Sequence, residues 1–241
     1  MNTFRRFVIF SRVVSLLLVA LGTVSVRAAD DSAGSEAEYT KVITERSDKI
    51  VRSLKLENLD KAGRVATILA QHYRDLRAIH DPRDEGIKAA KADKDLSKED
   101  REQKLSALNA AAEEMLAAIH APFLAALKQE LSDEQVDQVK DGLTYEVVPK
   151  TFQVYKDYFP KLSVEQQSTI LGYLKEAREK AMDGSTSKEK HAWFGKYKGK
   201  INNYLSTQGL DLKAAEKEFF AKKKAPAEAT DVSKQAAEAG K

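Results

Sequence analysis

The sequence predicts an all-α protein, and three observations carry that expectation. Ala, Leu, Lys and Glu dominate the chain, and all four are strong helix formers. Proline is scarce, at five in 241 residues, so few segments are barred from helix. Alternating runs of Val, Ile and Thr, the mark of half-buried strands, are nearly absent. The expected architecture is a single multi-helix domain of about 7–8 helices over residues 36–220, with a flexible linker at 29–35 and a disordered tail at 221–241.

The chain opens on a basic pair, Arg5 and Arg6, followed by an apolar stretch from Val13 to Val26 and the small-residue sequence Val26-Arg27-Ala28. That order is the pattern of a secretory signal peptide over residues 1–28. Arg12 keeps the uninterrupted apolar run shorter than the roughly 20 residues a spanning helix needs. Export to the periplasm or beyond is therefore expected, without stable membrane insertion after cleavage.

Helix starts are written as capping boxes, in which a Ser or Thr accepts from the backbone three residues on and an acid or amide there reaches back. Ser97 with Asp100, Ser132 with Gln135, Ser163 with Gln166 and Thr186 with Glu189 have this spacing. Stops are expected at Asp81-Pro82, Asp141-Gly142, Phe159-Pro160, Asp183-Gly184 and Gln208-Gly209. Together these predict helices near 36–54, 59–80, 98–130, 133–141, 149–159, 164–182, 187–207 and 211–223.

Charge and cysteine content exclude several classes of function. Residues 1–28 hold four Arg and no acid, so the 40 basic and 37 acidic residues of the whole chain become 36 and 37 after cleavage. A near-neutral protein with interspersed signs has no field to concentrate on polyanions, so nucleic acid is not an expected partner. The absence of Cys removes disulfides, thiol catalysis and thiolate metal sites. No Gly-rich phosphate loop, nucleophile elbow or His-Glu-x-x-His motif is present.

Two short echoes stand out. Ala78-Ile79-His80-Asp81-Pro82 matches Ala118-Ile119-His120-Ala121-Pro122, and Leu131-Ser132-Asp133-Glu134-Gln135 matches Leu162-Ser163-Val164-Glu165-Gln166. The first reads as two antiparallel helices that end or kink at similar depth, each His near a helix C-terminus where positive charge is favoured. A metal site would need His72, His80 or His120 to converge with acids, and no His pair is spaced i, i+4. No metal and no cofactor are expected.

The most specific stretch runs from Lys190 to Leu205, with the only Trp, two Tyr, one His, four Lys and two Gly. At 100° per residue, Trp193, Phe194, Tyr197, Ile201, Tyr204 and Leu205 share one arc, while His191, Gly195, Gly199 and Asn202 line another. Phe194 and Ile201 read as core. Gly195 and Gly199, spaced G-x-x-x-G, suggest close approach by a neighbouring helix. A sugar site needs an aromatic face for the apolar side of a pyranose and amides or cations for its hydroxyls. Trp193, Tyr197, Tyr204, Asn202, Asn203, Lys196, Lys200 and His191 supply both kinds, and the lysines suit uronates. A secondary set, Tyr73, Arg77 and His80, falls on one face of an earlier helix.

This segment, with Ala181-Met182-Asp183-Gly184-Ser185 before it and support from Gln71-His72-Tyr73-Arg74-Asp75-Leu76 and Asp141-Gly142-Leu143-Thr144-Tyr145, resembles the exported bacterial proteins of the domain of unknown function 3826 family. The resemblance covers about Tyr39 to Phe219. It implies a sugar-binding role connected with polysaccharide utilisation and carries over no catalytic residue. Lys200 stands where the family usually has Arg, which matters only for a bidentate grip on a carboxylate.

Three classes of function follow. The first expectation is a non-enzymatic carbohydrate-binding accessory protein. The Leu-Ser-x-Glu-Gln echoes resemble those of Spy and CpxP-type envelope proteins, and a periplasmic chaperone or stress protein of that kind would expose a broad apolar surface. A polysaccharide lyase or hydrolase would need a carboxylate pair or a Tyr, His and Arg cluster meeting in a cleft, for which Tyr73, Arg77, His80 and His191 are the available groups.

Overall fold

A computed structural model describes residues 25–224, with side chains from 36 to 223. Among these residues the chain is all-α, with eight helices and no strand. They are α1 (Ser25–Ser53), α2 (Leu59–Ala92), α3 (Lys98–Glu130), α4 (Asp133–Leu143), α5 (Val147–Tyr158), α6 (Val164–Ala181), α7 (Ser187–Thr207) and α8 (Leu212–Lys224). The signal-peptide reading falls mainly on residues 1–24, and most of the predicted tail on 225–241, outside the described residues. The chain divides into two compact units, Met1–Val42 and Ile43–Lys241. The first is described only as the upstream part of α1, and the second holds everything below.

The capping boxes form. Ser132 and Ser163 each accept from the backbone N–H of Gln135 and Gln166, whose side chains reach back to the cap. Ser97 and Thr186 accept from Asp100 and Glu189. The expected stop at Asp81-Pro82 does not occur, because α2 continues through Pro82 to Ala92 and α3 likewise runs through Pro122. An interior proline removes one N–H and costs about 3 kcal/mol, which the long α2–α3 pairing offsets. The register of that pairing is marked by Arg64 with Glu130 at 2.7 Å, His72 stacked on Phe123 at 3.7 Å, and the space above Gly86 filled by Leu108. His72, not His80, therefore lies beside the His120 end of α3, and neither His80 nor His120 is at a helix terminus.

Two apolar cores result. The first gathers Ile50, Leu54, Val65, Leu69, Phe123, Leu127, Val136, Val139, Leu143 and Met182. The second gathers Val148, Tyr155, Ile170, Leu174, Ala177, Phe194, Tyr197, Ile201 and Leu205 from α5, α6 and α7. Gly142 lets the last turn of α4 approach α1, since a Cβ there would stand 2.9 Å from Ile50.

Candidate functional site

The turn between α6 and α7 is where the helices exchange their polar groups, and Asp183 is at its centre. His120 Nδ1 donates to Asp183 Oδ2 at 2.7 Å, and His80 Nε2 donates to the Asp183 carbonyl at 2.7 Å. His72 Nε2 stands 3.6 Å from Asp183 Oδ1. The first echo thus marks two histidines that serve opposite ends of one residue. Beside them, Glu179 accepts from Lys140 Nζ at 2.9 and 3.0 Å and sits 3.7 Å from His120 Nε2. Among the described residues, no group of three or more His, Cys, Asp or Glu is placed to hold a metal ion.

Two cations buried against this turn fasten α6 and α7 to α4. Arg178, 2% exposed, donates from Nη1 to Asp141 at 2.9 Å and from Nη2 to Asp137 at 2.5 Å. Lys190, 6% exposed, donates to the carbonyls of Met182 at 2.9 Å and Leu143 at 3.1 Å. Arg83 Nη2 reaches Glu189 at 2.7 Å and ties α2 to the start of α7.

These surroundings divide the titrating groups by charge state. The bond to Asp183, with Glu179 behind it, raises His120 to about 9. Burial against Phe123 outweighs Asp183 at His72 and lowers it to about 4. Burial alone would raise Glu179, but His120 and Lys140 together hold it down to about 2. Burial lowers Lys190 to about 8. Near neutral pH the cluster contains one imidazolium and one neutral ring around the same carboxylate.

The predicted sugar residues divide between two flanks of α7. On the α6 flank, Lys196 Nζ lies 5.1 Å from the Trp193 ring, and Lys200 Nζ lies 4.2 Å from Tyr197 and 6.0 Å from Tyr173 of α6. Trp193 and Tyr204 are half-buried against the second core, and Tyr197 is buried at 8% exposure. On the α5 flank, Asn202 accepts from the Tyr155 hydroxyl at 3.1 Å, and exposed His191 stacks on Tyr145 with ring centroids 5.8 Å apart. Asn203 is exposed. His191 and Asn202, which the helical projection set on a second arc, thus lie apart from Trp193 and Tyr197, and the arc of α7 between the two flanks is spent on the core.

The glycine expectation fails. Among the described residues nothing lies within 4 Å of a Cβ built at Gly195 or Gly199, so no described helix approaches them. Of the secondary set, Tyr73 packs against the first core, Arg77 pairs with Asp81 at 3.1 Å, and only His80 joins the cluster around Asp183.

Lys140 and Tyr145 were not among the candidate residues read from sequence; Arg178, Glu179 and Asp183 fall in the charged stretch 176–183 that leads into the Trp193 segment, and Lys190 opens that segment, but none of the four had a role of its own. Arg178 and Lys190 had a visible signal: each occupies the apolar stripe of its own helix, Arg178 in register with Ile170 and Leu174, Lys190 with Phe194, Tyr197 and Ile201. A charge on such a stripe must find buried partners. Each of the four stretches that carry the family resemblance adds to this arrangement: Gln71–Leu76 gives His72, Asp141–Tyr145 gives Asp141, Leu143 and Tyr145, Ala181–Ser185 gives Asp183, and the α7 segment gives Lys190.

Fold and site define an all-α protein whose last long helices are locked by a buried histidine, carboxylate and lysine cluster, with aromatic and basic residues left at the surface of α7. The chain matches the family described as Protein of unknown function (DUF3826) over residues 40–225 and belongs to that family. No curated protein matches it.

Proposed function

We propose that this chain is an exported, non-enzymatic protein that binds an acidic glycan at α7, as part of polysaccharide utilisation. The observation that carries the reading is the α6 flank, where the ammonium groups of Lys196 and Lys200 stand over Trp193, Tyr197 and Tyr173. A cation beside a half-exposed ring offers a uronate a partner for its carboxylate and an apolar surface for its C–H face. The residues present suit Lys-type point-charge contact, and Lys200 does not offer the fork an Arg would.

The other two classes find less support. Histidine, carboxylate and lysine groups do meet around Asp183, as a lyase or hydrolase would require, and His120, Glu179 and Lys140 pair with one another, while both ring nitrogens of His72, His80 Nδ1 and Asp183 Oδ1 are buried without a hydrogen-bond partner. His120 stands between Asp183 and Glu179, and Glu179 between His120 and Lys140, which leaves neither free to move a substrate proton. For a chaperone, the large exposed apolar residues Leu59, Met115, Val154, Val164 and Phe220 belong to five different helices.

Trp193 is the only Trp, so its fluorescence reports the flank directly. Titration with tetragalacturonate should give a saturable change that weakens with salt, and Lys196→Gln with Lys200→Gln should abolish it without loss of fold. Absence of binding by calorimetry to both tetragalacturonate and neutral cellotetraose contradicts the reading.

A further inference from the structure

Helices α4 and α7 end with the same hydrogen-bond pattern built on different residues. At the end of α7, the Leu210 N–H donates to Leu205 O and the Gly209 N–H to Ser206 O, both at 3.0 Å. At the end of α4, the Glu146 N–H donates to Asp141 O at 2.8 Å and the Tyr145 N–H to Gly142 O at 3.4 Å. This is the Schellman closure, whose first residue past the cap is left-handed and most often glycine. α7 uses Gly209 there, at φ 74°. α4 uses Tyr145, at φ 62°, and Glu146 follows at φ 61°. A residue with a Cβ in that conformation is strained by roughly 1–2 kcal/mol.

The strained turn is fixed from every side. Thr144 is fully buried and donates to Lys140 O at 2.8 Å. The Lys190 ammonium holds Leu143 O, and Lys150 Nζ holds Tyr145 O at 3.0 Å. What this support presents is a ring that is 45% exposed and nearly parallel to His191, at 19°. His191 is itself oriented, since its Nδ1 donates to Ser187 O at 2.7 Å and so leaves Nε2 as the acceptor. Strain stored beneath an exposed, preorganised aromatic ring points from the outlier to a binding role.

We infer that Tyr145 and His191 form a second carbohydrate contact, in which the face of the Tyr145 ring turned away from His191 takes the apolar side of a pyranose and His191 backs the ring from behind. The inference rests on the glycan reading above and extends it to the opposite flank of α7. The exposed surface of α7 between the two flanks carries Ala192 and Gly195, which put no bulk in the way. A helix with its side chains is about 10–12 Å across, so the ligand class is an oligosaccharide crossing α7, with the acidic sugar at Lys196 and a pyranose on Tyr145.

Calorimetric titration of the intact protein with tetragalacturonate and with galacturonate monomer tests this. Tyr145→Phe should keep tetramer affinity within about threefold, and Tyr145→Gly should lose tenfold or more for the tetramer while leaving the monomer unchanged. Thermal melting confirms that the glycine variant is folded, and His191→Ala, at an exposed position, carries the same expectation should it not be. Tetramer binding that survives both substitutions but is lost in Lys196→Gln overturns the second contact alone. Failure of the natural chain to bind either probe overturns the glycan reading and this inference with it.

Discussion

The ends of α4 and α7 solve one problem in opposite ways. Both must leave the helix in a left-handed turn, and α7 does so with Gly209, which has no Cβ to strain. α4 does so with Tyr145 and Glu146 and surrounds the turn with Thr144, Lys190 and Lys150. At the end of α7 the Thr207 hydroxyl donates to Tyr204 O at 2.7 Å, and among the described residues no atom would meet a Cβ at Gly209 within 4 Å. The turn after α1 also holds a left-handed residue with a Cβ, Lys55 at φ 51°, so the conformation is not peculiar to the end of α4. The end that uses tyrosine, beneath an exposed ring, is tied to the α6–α7 turn by Lys190, which donates to both Leu143 O and Met182 O.

The largest expected effect comes from the α6–α7 turn to which Lys190 ties that end. Asp183→Ala takes the hydrogen-bond acceptor from His120 and leaves its charge half-buried beside Glu179 alone. Stability to denaturant should fall by about 3–5 kcal/mol, the range for breaking a buried pair by deleting one partner. A loss below 1 kcal/mol would mean that Asp183 does not organise the cluster.

The same cluster should respond to pH in two directions. His120 is raised from 6.5 to about 9, so its contribution is complete below 6.5 and is lost as pH rises through 9. His72 is lowered from 6.5 to about 4, so keeping it neutral contributes above 6.5 and is lost as pH falls through 4. Glu179, held at about 2, adds a further loss below about 4.5. Lys190, lowered to about 8 by burial, opposes the alkaline loss above that pH. The melting temperature should therefore peak near pH 6–7, a window set by the two histidines. His120→Gln should flatten the alkaline limb and leave the acid limb of His72, which a series of melts from pH 3 to 10 would resolve.

The smallest effects belong to the open glycines of α7. Gly195→Ala and Gly199→Ala meet nothing and lie inside a helix, so each should stabilise by about 0.5–1 kcal/mol. Destabilisation by either would reveal a close neighbour at that surface.

How much of this was legible in the sequence depends on how local the information is. The helix starts at Ser132 and Ser163 were, because a capping box is complete within four residues. Pro82 was not read correctly as a stop, since its local cost is offset by the partner helix, which the spacing does not reveal, whereas the helix expected over 98–130 does run through Pro122. Phe194 and Ile201 are core as their stripe implied, and His191 and Asn202 keep the second arc of the projection, but which neighbours meet each arc, α6 at Lys200 and α5 at Asn202, was not legible. Asp183 was hidden because its partners come from positions 63 to 111 residues away. Tyr145 was hidden for a different reason: nothing in Leu-Thr-Tyr-Glu announces a left-handed turn where glycine is the ordinary signal.

The most direct test of the account is the thermal stability of Tyr145→Gly and Tyr145→Ala beside Gly209→Ala, without ligand. Gly209→Ala should lose about 1 kcal/mol, the ordinary penalty of a Cβ at positive φ. Tyr145→Gly should be at least as stable as the natural chain and about 1 kcal/mol more stable than Tyr145→Ala, which keeps the strain and lacks the ring. A glycine variant clearly less stable than the natural chain would make Tyr145 a folding contact and contradict the claim that its ring is held for a ligand.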